Sequence, residues 1–158
     1  MLTAAIAAAL LVAIAILLHY EVLRFTSQVL PDVFGLHPRG RVVVVVFACF
    51  AAHTAEVWLF GIAYYVFVYV LKLGAFGGLH ANTLLDCVYF SIVTYTTLGI
   101  GDVFPIENVR LIAGVEALTG LLLVGWSASF TYLTMERFWP LHAEHARRRR
   151  HRPVRDSD

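Results

Sequence analysis

Charge is scarce in this chain. Asp, Glu, Lys and Arg make up 15% of its 158 residues, while 59% are hydrophobic and 13% are aromatic. About a quarter of a soluble domain is charged, so this balance argues against one. No Lys or Arg precedes Arg24. The first apolar stretch therefore lacks the positive start of a secretory leader and reads as a retained helix. The two cysteines, Cys49 and Cys87, exclude a disulfide framework or a cysteine-rich metal cluster. They read as small buried apolar residues. There is no P-loop, no dinucleotide fingerprint and no His-Glu-x-x-His. The polar residues within the apolar runs include no nucleophile paired with a base in a recognisable constellation, so an enzyme has little support. No internal repeat occurs, and no helix carries Arg at every third position as a voltage sensor does. Residues after the third apolar run are too few for a nucleotide-binding regulatory domain.

Long apolar runs are what the chain has instead. Residues 2–23, 42–71 and 111–135 are each long enough to cross a bilayer, which takes about 20 residues. Their strongly polar side chains are few: His19 and Glu21, then His53 and Glu56, then Glu116. The fold class is an all-α membrane protein with three transmembrane helices. Orientation follows from the arginines. Arg137, Arg147 to Arg150, Arg152 and Arg155 follow the third run, and Arg24, Arg39 and Arg41 flank the loop between the first two. The positive-inside rule places both regions in the cytoplasm and the N-terminus outside. Residues 72–110 then face outward, in a multi-pass protein of the cell (inner) membrane. Residues 25–41, with Pro31, Gly35, Pro38 and Gly40, read as a cytoplasmic connector. The glycine-rich stretch 74–82 reads as an extracellular turn.

Between the second and third runs lies Thr96-Thr97-Leu98-Gly99-Ile100-Gly101-Asp102. A short helix over 84–95 precedes it, capped by Asn82 or Thr83, with Asp86 at the favourable end of its dipole. That helix is too short to span, so helix and following loop read as a re-entrant segment walled by protein or lining a water-filled cavity. Glycines at alternate positions permit left-handed backbone. Such backbone can aim successive carbonyl oxygens at one axis, where they replace the water around a bare cation. One loop encloses nothing, whereas four around an axis do. Conduction therefore demands a homotetramer in which each chain has three identical subunits as partners. The bland alternative is a glycine-rich turn that conducts nothing.

The order helix, short helix, Thr-Thr-Leu-Gly-Ile-Gly-Asp, helix resembles the pore domain of potassium channels. Tyr89-Phe90-Ser91-Ile92-Val93-Thr94-Tyr95-Thr96-Thr97 looks like the pore-helix end of bacterial two-transmembrane and eukaryotic two-pore-domain channels. Gly101-Asp102-Val103-Phe104-Pro105 matches their Gly-Asp-x-x-Pro exit. The resemblance covers about residues 42–136, and the first helix is additional to it. It implies that the Thr97 hydroxyl and the carbonyls of Thr97, Leu98, Gly99 and Ile100 form stacked potassium sites. Gly99 and Gly101 would supply the permissive angles, and Thr96 and Asp102 would support the loop. The permeant ion would be K+, with no organic cofactor. The family usually has Tyr or Phe at Ile100 and Val or Ile at Leu98. A glutamate that pairs with the filter aspartate in some members is Val93 here. These departures imply a looser, less selective or gating-prone outer filter.

The chain thus reads as residues 1–24, an N-terminal transmembrane helix; 25–41, the connector; 42–136, a pore domain; and 137–158, a basic cytoplasmic tail. Within the pore domain the divisions are 42–71, 84–95, 96–102 and 108–136. Glu116, Thr119, Leu123, Ser127 and Phe130 recur at three- or four-residue steps and share a face. Thr119 and Ser127 either face the inner cavity or pack against neighbouring helices. Gly120 and Gly125 either bend the helix for gating or permit close packing. Glu116 either caps amides behind the filter or attracts cations in the cavity. His53 and Glu56, three apart, form an intramembrane pair that either tunes gating by protonation or ties helices together. His19, beside Glu21 and Arg24, reads as interfacial and without a role. The basic tail either binds anionic lipid or serves only to fix topology, and nucleic-acid binding is the weaker reading. The expected function is a tetrameric potassium-type cation channel. Its alternatives are a weakly selective or non-selective cation channel on the same scaffold and a non-conducting membrane subunit.

Overall fold

The computed structural model describes residues 1–29, 38–78 and 82–138. The middle of the expected connector (30–37), the tip of the expected turn (79–81) and most of the basic tail (139–158) lie outside the described residues. Three helices among the described residues are long and apolar enough to cross a membrane. Helix α1 covers Leu2–Val29, past the boundary expected at residue 24. Its 28 residues measure roughly 42 Å at 1.5 Å per residue, more than a bilayer core of about 30 Å. Helix α2 covers Pro38–Tyr65 and continues as a π-helical turn over Val66–Val70. Proline suits its first position, where no helical N–H partner is needed. The five valines Val42 to Val46 favour strand by propensity alone. Helix wins because lipid tolerates only a backbone that satisfies itself.

Two short strands follow, so the chain is mostly rather than wholly helical. Strand β1, Ala75–Gly78, pairs antiparallel with β2, Val103–Ile106, with Ala75 opposite Ile106 and Gly78 opposite Val103. The stretch 74–82 is therefore not simply a turn. Gly78 has φ +100°, and a Cβ there would lie 2.1 Å from the Asp102 carbonyl oxygen, so only glycine allows the close approach. Between the strands stands α3, Leu84–Tyr95, and α4, Val109–Phe138, closes the fold.

Helix α2 packs against α1, α3 and α4, and α3 also packs on α4. Small residues set the closeness. Ala4, Ala8 and Ala15 on α1 are buried, in one stripe with His19, Leu23 and Thr26. Phe60 and Tyr64 of α2, Cys87 and Phe90 of α3, and Val109 and Ile112 of α4 fill the main core. Cys49 and Cys87 are both buried free thiols. Many large apolar side chains point outward, among them Ile6, Leu17, Phe47, Phe50, Leu121 and Leu122. That is the surface of a protein whose solvent is lipid.

Candidate functional site

Helix α3 is built to start and stop sharply. Thr83 is its N-cap: its side chain accepts from the Asp86 N–H, and the Asp86 carboxylate accepts from the Thr83 N–H in return. At the other end the Leu98 N–H donates to the Val93 carbonyl at 3.0 Å and the Thr97 N–H to that of Thr94 at 2.9 Å. This pair of bonds is a Schellman stop, which needs a left-handed residue after the cap. Thr97 takes that place at φ +57°. Glycine is usual there, and a β-branched residue at positive φ is strained by roughly 1–2 kcal/mol. Strain of this kind concentrates at functional sites.

Thr97 opens an alternation. Gly99 and Gly101 have φ +62° and +85°, whereas Leu98 and Ile100 between them keep negative φ. Alternating left- and right-handed residues turn successive carbonyls to one side of the chain and successive N–H groups to the other. Leu98 and Ile100 are 65% and 57% exposed in the single chain. The loop thus presents two uncovered apolar side chains on a backbone whose φ alternation is of the kind that lines carbonyls up. Thr96, the α3 C-cap, turns inward on its own helix by donating its hydroxyl to the Ile92 carbonyl at 2.7 Å.

Asp102 ends the loop. Its Oδ1 accepts from the Val103 N–H and its Oδ2 from the Tyr89 hydroxyl, each at 2.9 Å. The glutamate partner missing at Val93 is therefore replaced in effect by Tyr89, thirteen residues back on the outer part of α3. The outer end of the loop is thus braced by a phenol and needs no carboxylate partner for Asp102. We expect Tyr89→Phe to leave thermal stability close to that of the parent. Backbone amides near Asp102 should exchange about tenfold faster, the effect of one lost hydrogen bond. Hydrogen exchange by mass spectrometry reads this directly.

Two buried polar networks lie behind the loop. In the first, the carboxylate of Glu116 on α4 accepts from the Tyr64 hydroxyl of α2 and the Ser91 hydroxyl of α3. Ser91 Oγ also lies 2.9 Å from the Val57 carbonyl. Glu116 is fully buried. It holds the hydroxyls of Tyr64 and Ser91. Glu116→Gln keeps the size but places an amide NH2 against one of these donors. We expect a loss of about 2 kcal/mol, read by thermal unfolding in detergent.

Thr119 is buried, with its hydroxyl on the Val115 carbonyl of its own helix at 2.7 Å. Ser127 is buried against the histidines described next. Both hydroxyls are thus engaged within the single chain, Thr119 at the border of a cavity of about 280 Å³ beside Val12 and Ile16 of α1. Gly120 is a contact point and not a free hinge: a Cβ there would lie 2.2 Å from the Tyr95 carbonyl oxygen. At Gly125 a Cβ would meet nothing within 4 Å.

The second network centres on Glu56. Its carboxylate takes the Tyr95 hydroxyl, His53 Nδ1 at 3.1 Å and His19 Nδ1 at 2.8 Å. Ser127 Oγ lies 3.3 Å from His19 Nε2 and 3.0 Å from His53 Nε2. The expected His53–Glu56 pair is thus part of a five-residue cluster drawn from all four helices. His19 corrects the sequence reading. It is fully buried, whereas Arg24 and Glu21 form an exposed pair at 3.1 Å. The missed signal was its place on the alanine stripe of α1, four residues beyond Ala15.

No curated protein and no solved structure matches the chain. The family described as "Ion channel" matches residues 42–137, well over half of the sequence. That span takes in α2, the short helix, the alternating loop and α4, and leaves α1 as an addition. The chain belongs to this family of ion channels, whose pore domain is of the two-transmembrane, potassium-channel-like kind.

Proposed function

We propose that four copies of this chain form a potassium-type cation channel. Loop 96–102 is its selectivity filter, entered through α3 as a re-entrant pore helix. The carbonyls of Thr97, Leu98, Gly99 and Ile100, with the Thr97 hydroxyl, take the place of the water around K+. The observation that carries this reading is the sign alternation of φ at Thr97, Gly99 and Gly101 against Leu98 and Ile100. Exposed Leu98 and Ile100 favour assembly, because apolar side chains beside a hydrated axis need cover from neighbouring copies. The arginines put the N-terminus outside, the C-terminus in the cytoplasm and the filter mouth outward. The run of arginines in the sequence of residues 147–155 suits anionic lipid head groups as a partner.

Ile100 supports a second reading on the same scaffold, a weakly selective cation pore. It has no hydroxyl with which to tie the filter to its surroundings. Tyr89 holding Asp102 works against that reading by fixing the outer end of the loop. Purified protein in liposomes decides among the alternatives. A potassium channel passes K+ and Rb+ with barium block and little Na+. A non-selective pore shows a reversal potential near zero in mixed K+ and Na+. A non-conducting subunit leaves flux at the level of empty liposomes.

A further inference from the structure

We propose that His19, His53 and Glu56, with the Tyr95 hydroxyl beside them, form a binding site for a first-row divalent cation of the zinc type within the helix bundle. The site stands apart from conduction and does not depend on how the loop is used. One nitrogen from each histidine and a Glu56 oxygen all lie within 4.8 Å of one another. His19 Nδ1 and His53 Nδ1 approach the two carboxylate oxygens at 2.8 and 3.1 Å, and Tyr95 Oη is 2.8 Å from His53 Nδ1. Zinc at about 2.0 Å from tetrahedral ligands spaces them roughly 3.3 Å apart. A small outward shift of each group therefore opens room for the ion. Two imidazoles and a carboxylate suit zinc, and the phenol oxygen is a fourth donor.

Hydrogen-bond arithmetic points the same way. With Glu56 ionised and both histidines neutral, His19, His53, Tyr95 and Ser127 hold one mobile proton each. Those four protons serve six close contacts. A proton on His53 Nδ1 serves two of them, yet in every tautomer one contact still sets two lone pairs against each other. A buried contact of that kind costs free energy. A cation on the Nδ1 side removes it. Both Nε2 atoms then carry hydrogen, and Ser127 Oγ has two lone pairs to accept both, at 3.3 and 3.0 Å. Metal-bound histidines ordinarily hold their second nitrogen in this way. A single extra proton also relieves the clash: His19 Nε2–H then donates to Ser127 Oγ and the Ser127 hydroxyl donates to His53 Nε2, so metal content separates the two.

The ligands come from α1, α2 and α3, and Ser127 from α4. An ion there clips the added first helix to the end of α3, one residue before Thr96. His53 is the way in: its side chain is 21% exposed and borders a cavity of about 350 Å³.

The test uses the full chain in detergent, stripped with chelator and then titrated with Zn2+ or Co2+. We expect one ion more per chain than in His19→Gln, and visible Co2+ bands of a four-coordinate nitrogen–oxygen site. The tail histidines His142, His145 and His151 raise the total in both proteins but not the difference. Zn2+ at a hundredfold excess over its Kd should raise the melting temperature by about 5–10 °C in the parent and not in His19→Gln. Ser127→Ala keeps every ligand, so it should still bind, about tenfold to a hundredfold more weakly. It also keeps the test open if His19→Gln fails to fold. Equal metal content and equal melting shifts in the parent and His19→Gln would overturn the proposal, as would equal melting shifts in the parent and Ser127→Ala at Zn2+ close to the parent's Kd. So would metal-independent stability that rises as pH falls, which would mark the cluster as a proton site.

Discussion

Gly99→Ala is expected to reduce ion flux through reconstituted protein to the level of empty liposomes while leaving the fold nearly intact. The two effects separate because of local geometry. Gly99 has φ +62°, and a Cβ there meets nothing within 4 Å in the single chain. Folding therefore loses only the cost of holding alanine left-handed, about 1 kcal/mol. Conduction loses more. An alanine that relaxes to negative φ swings a neighbouring carbonyl off the axis, and symmetry repeats that error four times. Flux assays paired with thermal unfolding check both halves. Undiminished flux from a well-folded variant would show that this loop does not line the path.

Gly120→Ala should give the largest loss of stability, about 4 kcal/mol. The added methyl carbon meets the Tyr95 carbonyl oxygen at 2.2 Å and the Tyr95 carbonyl carbon at 3.0 Å. Backbone on both sides leaves no flexible group to give way, so α3 and α4 must separate. Separation also pulls the Tyr95 hydroxyl from Glu56, a bond to a charged group worth about 1.5–3 kcal/mol. Gly125→Ala, where a Cβ meets nothing, is the control. It should be neutral or slightly stabilising, since alanine favours helix by about 1 kcal/mol. Equal unfolding temperatures for the two variants would contradict this account of Gly120.

Sequence pattern carried the parts of the fold that are local. Three apolar runs required three long helices, because nothing else in lipid satisfies the backbone. Asn82 or Thr83, with Asp86 just after, announced the start of α3, and the structure chooses Thr83 and closes a capping box with Asp86 over only four residues. The alternate glycines announced left-handed backbone at 99 and 101. The third left-handed residue, Thr97, stayed hidden because β-branched side chains argue against such a φ. Only the helix stop formed by Leu98, Val93 and Thr94 forces it.

What escaped was whatever joins distant segments. His19 and Glu56 stand 37 residues apart, and no pattern in either helix sets their mutual rotation. Charge near Arg24 suggested an interface for His19, whereas the stripe of small residues on α1 turned it inward. The β1–β2 pairing was obscured by glycines at 77 and 78, which weaken a strand signal. They are needed because Phe104 and the Asp102 carbonyl come so close.

A density map of the protein in nanodiscs, recorded in K+, tests the central claim most directly. The account predicts fourfold symmetry, with the carbonyls of Thr97 to Ile100 facing the axis and a column of ion density between them. A dimer or monomer, or a centre closed and devoid of ions in K+ and Na+ alike, would contradict it.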